Sequence, residues 1–458
     1  MDTSTPLSPG WYFHRLIQEL ANRAARYDLL DSYAKGTNGV PVLASKAVTE
    51  AYRRLMSISR TNYAELSIEA LRERMTPVGF RTGATGDDLG DVVARRIWRT
   101  NELDSQYPVT LSASLTMSMG YMIVGGVDPD LGVPLITTED PRQVVCEVDP
   151  ARRNKVRAAL KVFHDDVYGI DRAYLYLPGY VVQAVRASSN GDTISFSADG
   201  WEFTGDPERL PYPDVPVVPF PNRVASSPFP MSEIEPHLSI LDRITYTVLN
   251  QLEVMTLQAF RQRAIKGNLP ENDSSGNPIN YDDLFESSPG ALWTLPETAT
   301  IWESGEVTLD PIRGAARADV QAFAAVTRTP LFYLTPEATN GSAEGASLAR
   351  EGLIFKAADR IVTQTGSLKR VMSLAFLTMG DTERANQVDM DVIWAPPERF
   401  SLAERADAAS KAIAAGVPWR TVMVEIMQYT PSEVARMETE RAADAFTARL
   451  AVRPTPVA

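Results

Sequence analysis

The chain has 458 residues, a length that favours roughly two to four domains rather than one compact core. Hydrophobic residues make up 44% and charged residues 22%, which excludes global disorder, and the net charge of -13 argues against a protein that holds nucleic acid on a basic surface. The single cysteine, Cys146, excludes an intramolecular disulfide and a thiolate zinc site, and the three scattered histidines give no metal-ligand spacing.

No run of about 18 apolar residues occurs, so we expect no membrane span. The first residues lack a basic segment followed by an apolar one, so we expect no secretory signal either. We therefore expect the protein in a reducing cytoplasm, or in a particle that is assembled there.

Helical periodicity dominates the N-terminal part of the chain. The spacing of apolar residues predicts helices over residues 11–34, 45–55, 63–75 and 87–98, and a buried, uncharged helix over 111–122. Gly36 is well placed to end the first helix. Asp87 and Asp88 suit the positive N-terminal end of the fourth.

From about residue 121 the pattern becomes one of short strands between turn residues. Strands are predicted over residues 121–124, 144–148, 157–164, 173–177, 181–185, 193–196 and 201–203. Asn190-Gly191 is typical of a hairpin turn. Residues 128–132 resemble the first half of a calcium loop but lack its later ligands, so we interpret them as a turn. The pattern predicts an antiparallel β region packed on the preceding helices.

A proline-rich segment follows at residues 210–230. Proline cannot continue a helix or a central strand, so this segment is predicted to be an extended strap and a domain boundary.

A long helix is predicted over residues 232–266, with a length of about 45–50 Å. Its apolar seam alternates steps of three and four residues: Leu238, Leu241, Thr245, Val248, Leu252, Met255 and Ala259. Between Ile244 and Phe260 the only charged residue is Glu253. Such a helix cannot face water on most of its circumference, so we expect other helices, from its own chain or from neighbouring copies, to cover it.

The segment after this helix is polar and rich in turn residues as far as residue 289. Two short strands are predicted over 291–295 and 300–302, which makes a small α+β insertion with too little apolar content for a stable core. The acidic stretch 272–283 could attract a divalent ion, but we interpret it as a solvated loop.

The remaining chain is mostly helical. Helices are predicted over residues 313–326, 346–379, 402–415, 419–427 and 431–450, with a strand over 388–394. Residues 335–347 form a low-complexity stretch without a large apolar anchor, which predicts a solvent-facing loop.

Motifs of common enzymes are absent from the sequence: it has no P-loop, no Gly-x-Gly-x-x-Gly turn, no His-Glu-x-x-His and no Gly-x-Ser-x-Gly. We therefore predict no catalytic residues, no cofactor and no metal.

The order of these parts resembles the portal proteins of tailed bacteriophages, the siphophage head-to-tail connector portal family. Local stretches share the resemblance: residues 30–36, 59–63, 78–80, 97–104, 120–124, 327–334, 392–397 and 401–408. The last two, Val-Ile-Trp-Ala-Pro-Pro and Ser-Leu-Ala-Glu-Arg-Ala-Asp-Ala, are the most specific.

The resemblance implies a helix-rich α+β portal fold with wing, stem, clip and crown, assembled as a ring of about twelve copies. The implied boundaries are 1–226 for the wing, 227–266 for a stem helix, 267–312 for the clip, 313–331 for a second stem helix, 332–347 for a tunnel loop, 348–380 for a tunnel helix, 381–399 for a returning wing strand, and 400–458 for the crown and C-terminal tail.

The implied function is a channel at the unique capsid vertex, through which a terminase packages double-stranded DNA and through which the DNA is later ejected. The implied partners are other copies of the chain, DNA, terminase, a head-tail adaptor, and the major capsid and scaffolding proteins, with no membrane. The protein would be a virion component assembled in the host cytoplasm. Two alternatives stay open: another structural head or neck component, and an enzyme with an unrecognised carboxylate site.

The resemblance also assigns candidate residues. For the DNA channel these are Thr339, Asn340, Gly341, Ser342, Glu344, Arg350 and Lys356. For the clip interface they are Asn272, Asp273, Tyr281, Asp282, Trp293 and Trp302. For contacts between stems they are Leu241, Val248, Leu252 and Met255.

Overall fold

The structure is a computed structural model that describes residues 3–39, 50–84, 90–153, 155–188, 194–223, 229–259, 263–267, 269–272, 275–276, 278–281, 299–303, 305, 307–335, 343–398 and 400–451. Helix accounts for 48% and strand for 22%, so the predicted helix-rich α+β class is confirmed. The chain divides into two compact units. The first comprises Met1–Thr37, Ala64–Pro236 and Thr327–Ala458, and the second Asn38–Tyr63 and His237–Val326.

The helices are α1 Pro9–Ala34, α2 Glu50–Ile58, α3 Tyr63–Arg72, α4 Val92–Thr100, α5 Leu103–Met117, α6 Leu238–Ala259, α7 Asp310–Thr327, α8 Leu331–Leu334, α9 Ala343–Thr378, α10 Leu402–Ala414, α11 Trp419–Thr421 and α12 Pro431–Ala451. The strands are β1 Pro77–Arg81, β2 Met119–Val127, β3 Pro134–Glu139, β4 Val144–Val148, β5 Val156–Asp165, β6 Ile170–Leu177, β7 Tyr180–Ala187, β8 Glu202–Arg209, β9 Val217–Pro221, β10 Arg263–Gly267, β11 Ala299–Glu303 and β12 Asp391–Trp394. A 3-10 turn, Glu235–His237, precedes α6, and a π-helical turn, Val422–Ile426, follows α11. No helix in the described ranges is long and apolar enough to cross a membrane.

The core of the first unit lies between α1 and an antiparallel sheet of order β4-β5-β6-β7-β8. Side chains on one stripe of α1 are buried against this sheet, among them Phe13, Leu16 and Leu20. Along β6, every second residue is buried, as a sheet with one covered face requires. The predicted first helix and the predicted antiparallel region are therefore confirmed, and Gly36 follows α1 with φ of 65°.

One predicted strand of this region is wrong. The described part of 193–196, residues 194–196, is not a strand, because β8 begins at Glu202 and takes the place beside β7. The Asn190-Gly191 turn lies outside the described residues. The Asp128 turn is confirmed, since its side chain accepts hydrogen bonds from the backbone of Asp130 and Leu131.

The proline-rich segment is not simply a strap. Val217–Pro221 forms β9, which pairs with β2 in a sheet of order β3-β2-β9. The strand lies at the edge of that sheet, where a proline need not donate a hydrogen bond on its outer side. The buried side chains of Val217, Val218 and Phe220 supply the packing that makes this segment a strand.

The predicted helix over 111–122 is shifted in the structure. Helix α5 runs from Leu103 to Met117 and ends at Ser118, whose φ is 73°, and β2 then begins. Gly120 lies against this helix, because a Cβ atom there would be 2.4 Å from the carbonyl oxygen of Thr110. The glycine therefore permits the close approach of strand β2 to helix α5.

The helix predicted over 87–98 begins later than expected, at Val92. Asp91 caps it, and its Oδ1 accepts hydrogen bonds from the backbone of Val93 (2.7 Å) and Ala94 (3.0 Å). Its Oδ2 accepts one from the Thr82 hydroxyl at 2.6 Å. These contacts decide the helix start; Asp87 and Asp88 lie outside the described residues.

In the second unit the long helix is shorter than predicted. Helix α6 has 22 residues and a length of about 33 Å. Residues 263–266, expected to continue it, instead belong to β10, which is paired antiparallel with β11. Within this unit α2 contacts α6, and an ion pair between Arg243 and Asp319 joins α6 to α7. The predicted strand over 291–295 lies outside the described residues.

The C-terminal predictions differ mainly in their bounds. The 36-residue helix α9 and the helices α10 and α12 are confirmed. The strand predicted over 388–394 begins only at Asp391, where pairing with β1 starts. The helix predicted over 419–427 becomes a short α-turn followed by a π-turn.

Candidate functional site

The candidate site centres on α9, the helix that follows the low-complexity stretch. Thr339, Asn340, Gly341 and Ser342 lie outside the described residues. The stretch becomes helical at Ala343, so the predicted loop over 335–347 is too long at its C-terminal end, and Glu344 lies in the first turn of α9. Arg350 is half-buried on the same helix.

Lys356 is placed differently from expectation. Its side chain is 10% exposed, and its Nζ lies 2.7 Å from Glu233 and 3.0 Å from the carbonyl oxygen of Thr327. An ammonium group that is already bound on two sides is not free to contact a duplex. We therefore leave Lys356 out of the proposed DNA channel.

A second cation meets the same carboxylate. Arg360 lies one turn further along α9, and its Nε donates to Glu233 at 2.6 Å. The amide of Asn222 donates to the same Glu233 oxygen at 3.0 Å. Burial alone would raise the pKa of Glu233, but the charges of Lys356 and Arg360 outweigh it and lower this pKa to about 2. The three side chains therefore form a buried, charged cluster.

Sequence reasoning missed this cluster. The available signal was the spacing of Lys356 and Arg360, four residues apart on one helical face. Because Glu233 lies far away in sequence, no pattern paired it with them.

The outer face of α9 carries exposed apolar and small residues. Phe355 is 63% exposed and Val362, two turns later, is 75% exposed. Ala358 and Gly366 are exposed on the same stripe, and a Cβ at Gly366 would meet nothing within 4 Å. This face has no cover in the described part of the isolated chain.

The predicted stem residues on α6 differ in how deeply they are buried. Leu241 is buried within the single chain, together with Ile244 and Leu249. Val248 and Leu252 are half-buried, and Met255 is 45% exposed. Of the two sources of cover that we expected, the chain itself supplies the cover at Leu241, Ile244 and Leu249.

Three of the predicted clip residues are described. Asn272 is exposed and forms an isolated antiparallel β-bridge with Pro278. The half-buried Tyr281 donates a hydrogen bond to the carbonyl oxygen of Pro270. Trp302 on β11 is 56% exposed. Asp273, Asp282 and Trp293 lie outside the described residues.

The described residues form no arrangement typical of a catalytic or metal centre. Among the described residues, no group of three or more histidine, cysteine or acidic side chains is arranged to hold a metal ion. Cys146 is buried, and burial raises the pKa of its thiol, which disfavours the reactive thiolate. What the described surfaces offer is apolar helix faces and charged side chains, suited to contacts between macromolecules.

Comparison with known proteins gives the family. The family described as "Phage portal protein, SPP1 Gp6-like" matches residues 13–445. The chain is 28% identical over 368 residues to a protein of Mycobacterium phage D29 named "Portal protein", covering 77% of this chain and 72% of that one. It is 29% identical over 378 residues to the "Portal protein" of Mycobacterium phage L5, with the same coverage.

Among solved structures, "Neck of native GTA particle computed with C12 symmetry" aligns with 86% of this chain and 97% of its own, at 12% identity and a TM-score of 0.40. The assignment does not depend on this weak likeness. Because the family match extends over nearly the whole sequence, the chain belongs to the SPP1 Gp6-like family of phage portal proteins.

Proposed function

We propose that about twelve copies of this chain close into a ring at one capsid vertex and form the channel through which double-stranded DNA enters and leaves. The observation that carries this proposal is the family match over residues 13–445, together with two relatives that bear the name portal protein. The role is structural and involves no catalysis.

The exposed stripe on α9 supports self-association. Phe355 and Val362 are large apolar side chains that lie mostly in solvent in the isolated chain. Large apolar side chains that are exposed on one face of a helix are typical of protein interfaces. A head-to-tail contact between identical copies buries such a face on every subunit and closes into a ring when the rotation permits.

We assign the parts of the ring from the family resemblance. Residues 267–312 form the clip, which contacts the terminase and later the head-tail adaptor, and the wing meets the major capsid and scaffolding proteins. The low-complexity loop and the start of α9 line the channel. The net charge of -13 per copy suits a channel in which DNA must slide, because a strongly basic lining would hold the phosphates.

The test compares the mass of purified assemblies. We expect the natural chain to give closed rings by native mass spectrometry and negative-stain microscopy. Val362→Asp places a charge on the α9 stripe and should shift the population toward monomers. Val167→Asp is the matched control, since Val167 is 87% exposed on the tip between β5 and β6, and it should leave the rings intact. A natural chain that stays monomeric at high concentration would contradict the proposal.

A further inference from the structure

A cavity of about 270 Å³ lies in the first unit between β1, α4 and the start of α12. Its apolar wall includes Pro77, Val78, Phe80 and Trp98. The rings of Phe80 and Trp98 lie 5.6 Å apart and are almost fully buried. The wall is therefore a preformed, rigid surface on which an apolar group could rest.

Two arginines line the same cavity. Arg95 and Arg99 lie one turn apart on α4, and neither guanidinium has an ion-pair or hydrogen-bond partner in the described part of the chain. Arg96 on the same helix differs, because it donates to the carbonyl oxygen of Leu131 at 3.1 Å. The cavity thus holds two positive charges that have no partner among the described residues.

The polar groups that could oppose these charges are already engaged. Asp104 lines the cavity, and its Oδ1 accepts the indole N–H of Trp98 at 2.7 Å. The hydroxyl of Thr430 donates to Glu433 at 2.7 Å. Counting Arg95, Arg99 and Asp104, the lining carries a net positive charge.

A second, smaller cavity of about 70 Å³ shares Pro77, Trp98 and Asp104 with the first. Tyr107 lines it, is 1% exposed, and has a hydroxyl without a partner among the described residues. A buried hydroxyl without a partner costs about 1–3 kcal/mol, a cost that a hydrogen bond to a bound ligand would relieve. The smaller cavity therefore favours a polar group of a ligand.

We propose that this double cavity is a docking site for an acidic segment of a partner polypeptide. A carboxylate of the partner pairs with Arg95 and Arg99, and a neighbouring apolar side chain lies on Trp98 and Phe80. Guanidinium–carboxylate pairs of this kind are strong and directional. None of the lining residues is among those assigned to the channel or the clip, so the proposal does not depend on those assignments.

A peptide fits these observations better than DNA does. A duplex presents a convex row of phosphates and no apolar group for the aromatic wall. A flexible acidic peptide can insert one apolar side chain while keeping its carboxylates at the arginines.

The test uses the full chain and a fluorescein-labelled hexapeptide, Gly-Glu-Phe-Glu-Leu-Gly, followed by fluorescence anisotropy. We expect saturable binding that weakens about tenfold or more in the double variant Arg95→Glu/Arg99→Glu. The matched control is Arg152→Glu/Arg153→Glu, which makes the same change of charge in an exposed turn and should stay within about twofold of the natural chain. A peptide with glutamine in place of glutamate should bind the natural chain about as weakly as the glutamate peptide binds Arg95→Glu/Arg99→Glu.

Far-ultraviolet circular dichroism checks that the variants fold. If charge reversal disturbs α4, Arg95→Gln/Arg99→Gln replaces the double glutamate variant in the binding measurement. The proposal is overturned if the natural chain shows no saturable binding, if the arginine variants bind as well as the control, or if the glutamine peptide binds equally. Tighter, arginine-dependent binding of a labelled DNA duplex would overturn the peptide assignment in favour of nucleic acid.

Discussion

Lys356 and Glu233 form a buried ion pair, with 2.7 Å between the ammonium nitrogen and the carboxylate oxygen. Glu233 lies just before the chain leaves the first unit at Pro236, and Lys356 also binds the carbonyl oxygen of Thr327, where the chain returns. Lys356 on α9 thus contacts both the segment by which the chain leaves the first unit and the segment by which it returns.

Glu233→Gln should therefore be strongly destabilising. The substitution leaves Lys356 buried without a counter-charge and leaves Arg360 with only the exposed Asp359, and a buried charge that loses its partner costs about 3–5 kcal/mol in comparable cases. Urea unfolding followed by circular dichroism measures the change. Lys411→Met is the control: its pair with Asp407 is mostly exposed, so its loss should cost at most about 1 kcal/mol. Equal effects of the two variants would show that the buried cluster contributes little.

The same cluster predicts a dependence on pH. The pKa of Glu233 is about 2 in the folded chain and has an ordinary value of 4.5, so folding favours its charged form. The resulting stabilisation, on the order of 3 kcal/mol, is fully present above pH 4.5 and is lost as the pH falls toward 2. The difference in unfolding free energy between the natural chain and Glu233→Gln should therefore be constant from pH 7 to 5 and shrink below pH 4.5. A difference that grows on acidification would contradict this sign.

Tyr107→Phe should leave the fold as stable as before or raise its stability by about 1 kcal/mol. The variant removes a buried hydroxyl that has no partner among the described residues, while the ring keeps its contacts with Trp98 and Trp394. Differential scanning calorimetry gives the change in midpoint. A clear loss of stability would mean that an ordered water or ligand satisfies the hydroxyl.

Gly120→Ala should destabilise by about 1–3 kcal/mol or more. The new Cβ would lie 2.4 Å from the Thr110 carbonyl oxygen, so strand β2 and helix α5 would have to move apart. Gly126→Ala on the same strand is the control, because a Cβ there meets nothing within 4 Å. Thermal unfolding of both variants measures the difference, and similar midpoints would refute the close approach.

Predictions from the sequence succeeded where structure depends on local pattern. The periodicity of α1, the alternation along β6 and the length of α9 follow from side chains a few residues apart. Predictions failed where a distant partner decides. Residues 263–266 leave the helix because β11 pairs with them, and Val217–Pro221 becomes a strand because β2 lies beside it.

The sequence by itself determined the fold class, the order of most elements and the resemblance to a portal family, because these depend on periodicity and local motifs. Only the tertiary structure decided that Lys356 is buried against Glu233, that α6 is partly covered by its own chain, and that Arg95 and Arg99 line a cavity. The physical reason is that the burial and pairing of a charged side chain depend on residues far away in the sequence, which no local pattern records.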